Sequence, residues 1–265
     1  MNSKARVQSV LEVHALSEEV TQMPCFSMNH LQDVSVTGIE IPTNIRLGQL
    51  IEKVVGDLLD KSSTYQLLYK NVQVLDGKRT IGELDFIIQE KETTDIIHLE
   101  LAYKFYLLDS HISSTEKENW IGPNRKDTLV EKLVKLKTKQ FPLLFDSRTQ
   151  KTLRELDVSL LRQELCLLAN LFIPYEYNGN VSEAYLPAIK GWYLNWVDYQ
   201  KMDHEATQYY VPEKKQWGMA PLSNDSWFSF QEVHQELQES ISENQSRLVW
   251  QRKEETYSEF FVTWW

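Results

Sequence analysis

The chain is poor in several features that would narrow its chemistry. Only two cysteines occur in 265 residues, Cys25 and Cys166, far apart and outside any Cys/His cluster. Neither a disulfide framework nor a structural zinc site is therefore expected. No run of 18 apolar residues is present, and the opening MNSKARVQSV lacks the apolar core of a secretory signal. The expectation is a cytoplasmic, soluble protein with no membrane partner. A phosphate-cradling glycine-rich loop and a GxSxG nucleophile turn are both missing, which leaves ATP hydrolysis and serine-type catalysis without support. No internal repeat or low-complexity tract interrupts the sequence.

Positive charge is also in deficit. Lys and Arg number 28 against 38 Asp and Glu, a net charge of −10, which disfavours tight nonspecific binding to a polyanion. The deficit is uneven. Residues 103–154 hold eleven Lys and Arg against six Asp and Glu, an excess of +5, and the remainder carries −15. Such asymmetry allows a basic groove on an acidic body. What the chain does have is apolar content, 42% of residues with eight Trp, enough for one large domain or a domain with an appended lobe.

Periodicity sets out the elements. Residues 1–40 read as an N-terminal helix and loop packed on the core. Asn44 is placed to cap a helix whose apolar positions Leu47, Leu50, Ile51, Val54, Val55 and Leu58 follow helical spacing. A strand follows near residues 65–75, ended by the Asp76-Gly77 turn signal. Two strands come next, TIGELDF from Thr80 and HLELAYKF from His98. Residues 111–126 read as a polar loop, and Asp127 opens a second helix that Pro142 ends. From Thr152 the chain reads as helical, then as a buried strand over 165–173. A helix near 227–241 and a strand near 257–264 are the clearest later pieces.

The pair of strands carries the chemistry. Side chains alternate faces along a strand, so His98, Glu100, Ala102 and Lys104 share one face. With the turn centred between Glu92 and Thr93, antiparallel register sets Asp85 opposite Glu100, with Cβ atoms about 5 Å apart. Two carboxylates so placed repel unless a cation or a proton lies between them. Glu83 shares the face of Asp85, and a register shift of two would exchange their roles. A surface hairpin with cross-strand charge pairs is the structural alternative, but two facing acids without an opposite charge are a poor design for one.

This arrangement resembles the core of the PD-(D/E)XK, or restriction-endonuclease-like, nuclease superfamily. Within it, RLG followed by Glu52, GELDF, HLELAYKFYL, WIGPN with Asp127, GWY and KKQW resemble a family of uncharacterised bacterial proteins, from about residue 40 onward. The resemblance implies an α/β fold with a mixed central sheet flanked by helices over 41–175. A C-terminal α+β extension over 176–265, part of the same domain, would complete it. It implies a Mg²⁺- or Mn²⁺-dependent nuclease acting on DNA or RNA, with Asp85, Glu100 and Glu52 as metal ligands and the Leu101 carbonyl as a further donor. Lys104 would be the catalytic lysine, although the superfamily places its lysine where Ala102 stands here. Gln140 resembles a glutamine of the RecB-like branch. Arg46, Asn124, Arg125, Lys126 and Lys132 are the candidates for phosphate contact, with Lys135 and Lys139 on the same helical face as Lys132.

Each of these has a plainer reading. Glu52 and Gln140 can be ordinary helix residues, His98 a hydrogen-bonded core histidine, and the helix lysines a solvated face. Trp192, Tyr193, Trp196, Trp217 and Trp227 offer stacking for unpaired bases, but more often such residues build core. The functional alternative is a nuclease fold that binds nucleic acid or a protein without turnover. A metal-dependent hydrolase of a small phosphorylated ligand is a third reading, and it requires an enclosed pocket.

Overall fold

The structure is a computed structural model and describes residues 2–42 and 44–265. Its helices are α1 (Ser3–Leu11), α2 (Glu18–Thr21), α3 (Leu47–Lys61), α4 (Leu129–Lys135), α5 (Phe141–Leu143), α6 (Ser147–Thr152), α7 (Trp196–Lys201) and α8 (Phe230–Ser242). The strands are β1 (Tyr65–Asp76), β2 (Arg79–Glu90), β3 (Ile96–Leu108), β4 (Trp120–Ile121), β5 (Arg162–Pro174), β6 (Ile189–Asn195), β7 (Thr207–Tyr210), β8 (Arg247–Lys253) and β9 (Thr256–Thr263). They form one mixed sheet in the order β1-β2-β3-β5-β6-β9-β8-β7, with β4 paired to β3. The class is α/β, as the alternation of patterns predicts.

Contacts divide the chain into two units. One comprises residues 10–103 and 131–168, the other 1–9, 104–130 and 169–265. In the first unit, the apolar stripe of α3 is buried at Leu50, Ile51, Val54, Val55, Leu58 and Leu59. Gly56 lets that helix approach the Phe86 ring, which a Cβ would meet at 3.2 Å. A second cluster gathers Val72, Val74, Leu84 and Ile87 from the sheet with Leu143, Leu144 and Leu153. The N-terminal segment is anchored by backbone bonds from Leu16 to Leu167 and from Phe26 to Leu165.

Several local expectations are corrected. Arg46, not Asn44, stands at the N-cap of α3, and its amide donates to Gln49 Oε1 at 3.4 Å. The polar loop after β3 contains a 3-10 turn, Glu116–Asn119, and the two residues of β4, which pair with Leu107 and Leu108. Residues 147–152 are helical, so Thr152 ends a helix instead of opening one. The helix of residues 129–143 passes through Pro142. Between α4 and α5 it widens into a π-helical segment, Leu136–Gln140, closed by a bond from the Phe141 amide to the Leu136 carbonyl. Proline removes a donor and crowds the carbonyl four residues earlier. A wider turn accommodates that crowding without ending the helix.

The second unit is built on β6, β9, β8 and β7, with α7 and α8 packed through Tyr199, Val233 and Leu237 against Val249, Phe260 and Val262. On the opposite parity of β9, Phe261 meets Phe172 and Trp217 edge to face at 4.8 and 5.0 Å. Trp192 stacks on Phe260 at 4.0 Å. Most of the aromatic content therefore builds core. Gly191 on β6 permits the closest approach, because a Cβ there would lie 1.9 Å from the Glu259 carbonyl oxygen. Gly191→Ala is expected to lower unfolding free energy by about 1–3 kcal/mol or more, read by denaturant titration. An unchanged midpoint would show that β6 and β9 can separate freely.

Candidate metal centre

The β2–β3 ladder pairs Phe86 with Leu99 and Gln89 with Ile96. Its centre falls between Glu92 and Thr93, and continuing the register by one residue sets Asp85 opposite Glu100. At that point the Asp85 carboxylate interrupts the ladder, accepting the Leu101 amide at 2.7 Å through Oδ2. That bond occupies the Leu101 amide.

Asp85 is joined by two further acids. Ligand oxygens of Glu52 on α3, and of Glu83 and Asp85 on β2, lie within 4.8 Å of one another. Asn71 on β1 ties the group together, its side-chain amide donating to Glu52 Oε1 and, at 3.2 Å, to Glu83 Oε1. Asn71 has φ of 53° in mid-strand, between the Lys70–Phe86 and Val72–Leu84 pairs. Left-handed backbone costs a non-glycine residue about 1 kcal/mol, and Asn tolerates it best after glycine. Such strain concentrates where geometry is imposed for function.

Glu100 is 1% exposed and His98 0%. The Gln163 side-chain amide donates to His98 Nδ1 at 2.9 Å and to the Phe141 carbonyl at 2.8 Å. His98 Nε2 is thereby the donor to Glu100 Oε1, at 2.9 Å. Gln140, on the π-helical segment, donates to Glu100 Oε2 at 3.2 Å and to the Glu83 carbonyl at 3.4 Å. These hydrogen bonds come from amide groups and the His98 imidazole. Burial, then the charge of Glu100, raises the Asp85 pKa well above the carboxylate range, with Glu52 adding to the rise. The Leu101 amide and the charge of Lys132 oppose it. Glu52 is also raised, by burial first, then by Glu83 and Glu100. Beside the acids, Gln49, Glu52, Lys53, Lys70, Asn71 and Glu83 line a cavity of about 340 Å³.

The sequence candidates thus separate into groups. Asp85, Glu52, Glu83, Glu100, Gln140 and Lys132 belong to one electrostatic neighbourhood. Lys104 instead meets Asp127 at 2.6 Å. Asn124 accepts from the Ser246 amide at 2.7 Å. Arg125 pairs with Asp109 at 3.0 Å and lies 4.5 Å over the Trp265 ring. Lys126 and Arg46 are exposed. Lys135 and Lys139 are exposed as well, Lys139 inside the π-helical segment, so the expected lysine face is interrupted. Asn71 and Gln163 also hold the site, outside the candidates that the sequence offers. Neither carries a local sign, since β1 also holds Gln66, Lys70 and Gln73 and Gln163 lies between Arg162 and Glu164.

A raised carboxyl pKa in the fold means that stability is fully present below the unfolded pKa, about 3.9. It is lost as pH rises through the higher folded value. In chelator, Asp85→Asn is therefore expected to be more stable than the parent at alkaline pH, with the difference shrinking toward pH 4. The gain is about 1.4 kcal/mol for each unit by which Asp85 is raised. Thermal melts from pH 4 to 9 read it, and a pH-independent difference would contradict the burial argument.

No curated protein and no solved structure matches the chain. Residues 9–260 match the family described as a domain of unknown function (DUF1853), and the chain belongs to that family.

Proposed function

We propose that this protein is a divalent-metal-dependent nuclease-like hydrolase of restriction-endonuclease-like type, acting on phosphodiester bonds in DNA or RNA. The observation that carries the reading is the convergence of Glu52, Glu83 and Asp85 within 4.8 Å, with Glu100 and its Gln140 donor beside them. Hard oxygen donors of this kind suit Mg²⁺ or Mn²⁺, whose opposite ligands stand about 4 Å apart, so a small inward movement of the side chains completes the fit. A cation held there would supply charge neutralisation at a phosphoryl oxygen and make a water more acidic.

The chain's own groups have definable parts in this reading. Asp85 and Glu52 bind as carboxylates, against the upward shift that burial imposes on both. Asn71 sets the separation of Glu52 and Glu83, and Gln140 orients Glu100. Lys132, whose charge is felt at Asp85, takes the role of the site lysine, since Lys104 is engaged with Asp127. The cavity lined by Lys53 and Lys70 is at the small end of ligand sites, about 300–1,000 Å³, and receives the phosphate.

The second reading, a nuclease fold that binds without turnover, is favoured by one observation. The position that the superfamily fills with lysine is Ala102, only 6% exposed. Calorimetric titration of Mn²⁺, followed by a cleavage screen on single- and double-stranded DNA and RNA, separates the two. The parent should bind, more tightly as pH rises, because the ligands must be deprotonated. Asp85→Asn and Glu52→Gln should lose binding and cleavage, and Gln140→Leu should lower cleavage roughly 10–100-fold. Full metal-dependent cleavage by Asp85→Asn would sink the assignment, whereas nucleic-acid binding that survives chelation without cleavage would establish the second reading.

A further inference from the structure

The recess beside the acids is shaped by a break in strand alternation. Lys70 on β1 pairs with Phe86 on β2. The Phe86 ring lies where a Cβ at Gly56 of α3 would meet it, so Lys70 is on the α3 side of the sheet. Asn71, the next residue, also turns to α3, where its side-chain amide donates to Glu52. Val72, which alternation would return to the side of Lys70, instead joins the apolar cluster of Leu84, Leu143 and Leu144. The left-handed backbone of Asn71, φ 53°, thus brings two consecutive side chains to one place. Lys70 and Asn71 line the cavity of about 340 Å³ together with Gln49, Glu52, Lys53 and Glu83.

The two lysines there differ. Lys53 is paired with Asp57 at 2.6 Å, whereas Lys70 is exposed and, among the described residues, makes no ion pair or hydrogen bond through its ammonium. An ammonium is a point charge suited to phosphate. With Glu52 and Glu83 in the same cavity, the free site repels an anion, and a cation held by the acids reverses that sign. The recess also restricts the form of the substrate. Glu100 is buried, and Glu52, Glu83 and Asp85 are half-buried, so a phosphate must come down to them. A duplex is stiff over about 150 base pairs and cannot lower one phosphate into so small a space while paired. An unpaired strand bends at each linkage and can.

We propose that this recess seats one phosphate of a single-stranded nucleic acid, anchored by Lys70, which the left-handed turn at Asn71 positions. The proposal rests on the reading of the acids as a metal centre, and Lys70 is a specificity-determining contact, not a metal ligand. Fluorescence anisotropy of the full chain in Mn²⁺ tests it, alongside Mn²⁺ calorimetry. The probes are phosphorothioate oligothymidylate and oligouridylate, which keep their charge and resist hydrolysis, each as a single strand and as a duplex. At least one single strand should bind in Mn²⁺ and not in chelator, roughly tenfold tighter than its duplex. Lys70→Met, confirmed folded by circular dichroism, should weaken that binding roughly tenfold and keep the parental Mn²⁺ affinity. It should also lessen the slope of log affinity against log salt by about 0.7, the share of one phosphate contact. Lys70→Arg should retain the slope, and Lys61→Met, at the far end of α3, should change neither quantity. A parent that binds Mn²⁺ but neither strand, a duplex bound as tightly as the single strand, or a salt slope unchanged in Lys70→Met would overturn the proposal and leave the metal reading standing. A parent that binds no Mn²⁺ would overturn both.

Discussion

Crowding of carboxylates at one end of the β2–β3 ladder is the constraint to which the surrounding structure answers. Unit charges 4–5 Å apart repel by on the order of 3–4 kcal/mol at an effective dielectric of about 20, and burial adds the loss of hydration. The chain accommodates this with the Leu101 amide on Asp85, Asn71 across Glu52 and Glu83, and Gln140 and His98 on the two oxygens of Glu100. These donors come from β1, from β3 itself and from the π-helical segment, so the position of that helix and the strand register are mutually dependent.

The hydrogen bonds that hold the acids come from amides and the His98 imidazole. Ammonium and guanidinium groups that would satisfy carboxylates more strongly are engaged elsewhere, Lys104 with Asp127 and Arg125 with Asp109. Neutral donors fix the position of a carboxylate without cancelling its charge. Negative potential is therefore retained where it is most compressed, tempered by Lys132 and by the proton that Asp85 favours. Structure of this kind costs stability in the free protein.

The parts legible in the sequence are those governed by short-range alternation. The facing of Asp85 and Glu100 follows from pleat parity and a turn centre that the ladder reproduces at Glu92 and Thr93, and the buried stripe of α3 follows from helical spacing. What was not legible depends on backbone departures or on distant chain. Asn71 reaches Glu83 from a left-handed conformation inside a strand, which parity rules do not describe. Lys104 is drawn to Asp127 by the loop after β4, where Gly122 admits the aspartate oxygen to within 2.1 Å of where a Cβ would stand. Pro142 carries an ordinary stop signal, and only the wider turn before it lets the helix continue.

That wider turn also bears on how such a chain can change over time. One extra residue in a helix rotates everything beyond it by about 100° and advances it by about 1.5 Å. Gln140 reaches Glu100 at the end of the π-helical segment, while Leu143 beyond it closes against the sheet so tightly that a Cβ at Gly82 would lie 2.5 Å from its methyl group. Losing a single residue between 136 and 140 would restore ordinary helix geometry and remove the widened turn that ends at Gln140. Substitutions in this stretch are thus freer than changes in its length, and relatives should preserve the spacing from Lys132 to Leu143 even where the residues between them differ.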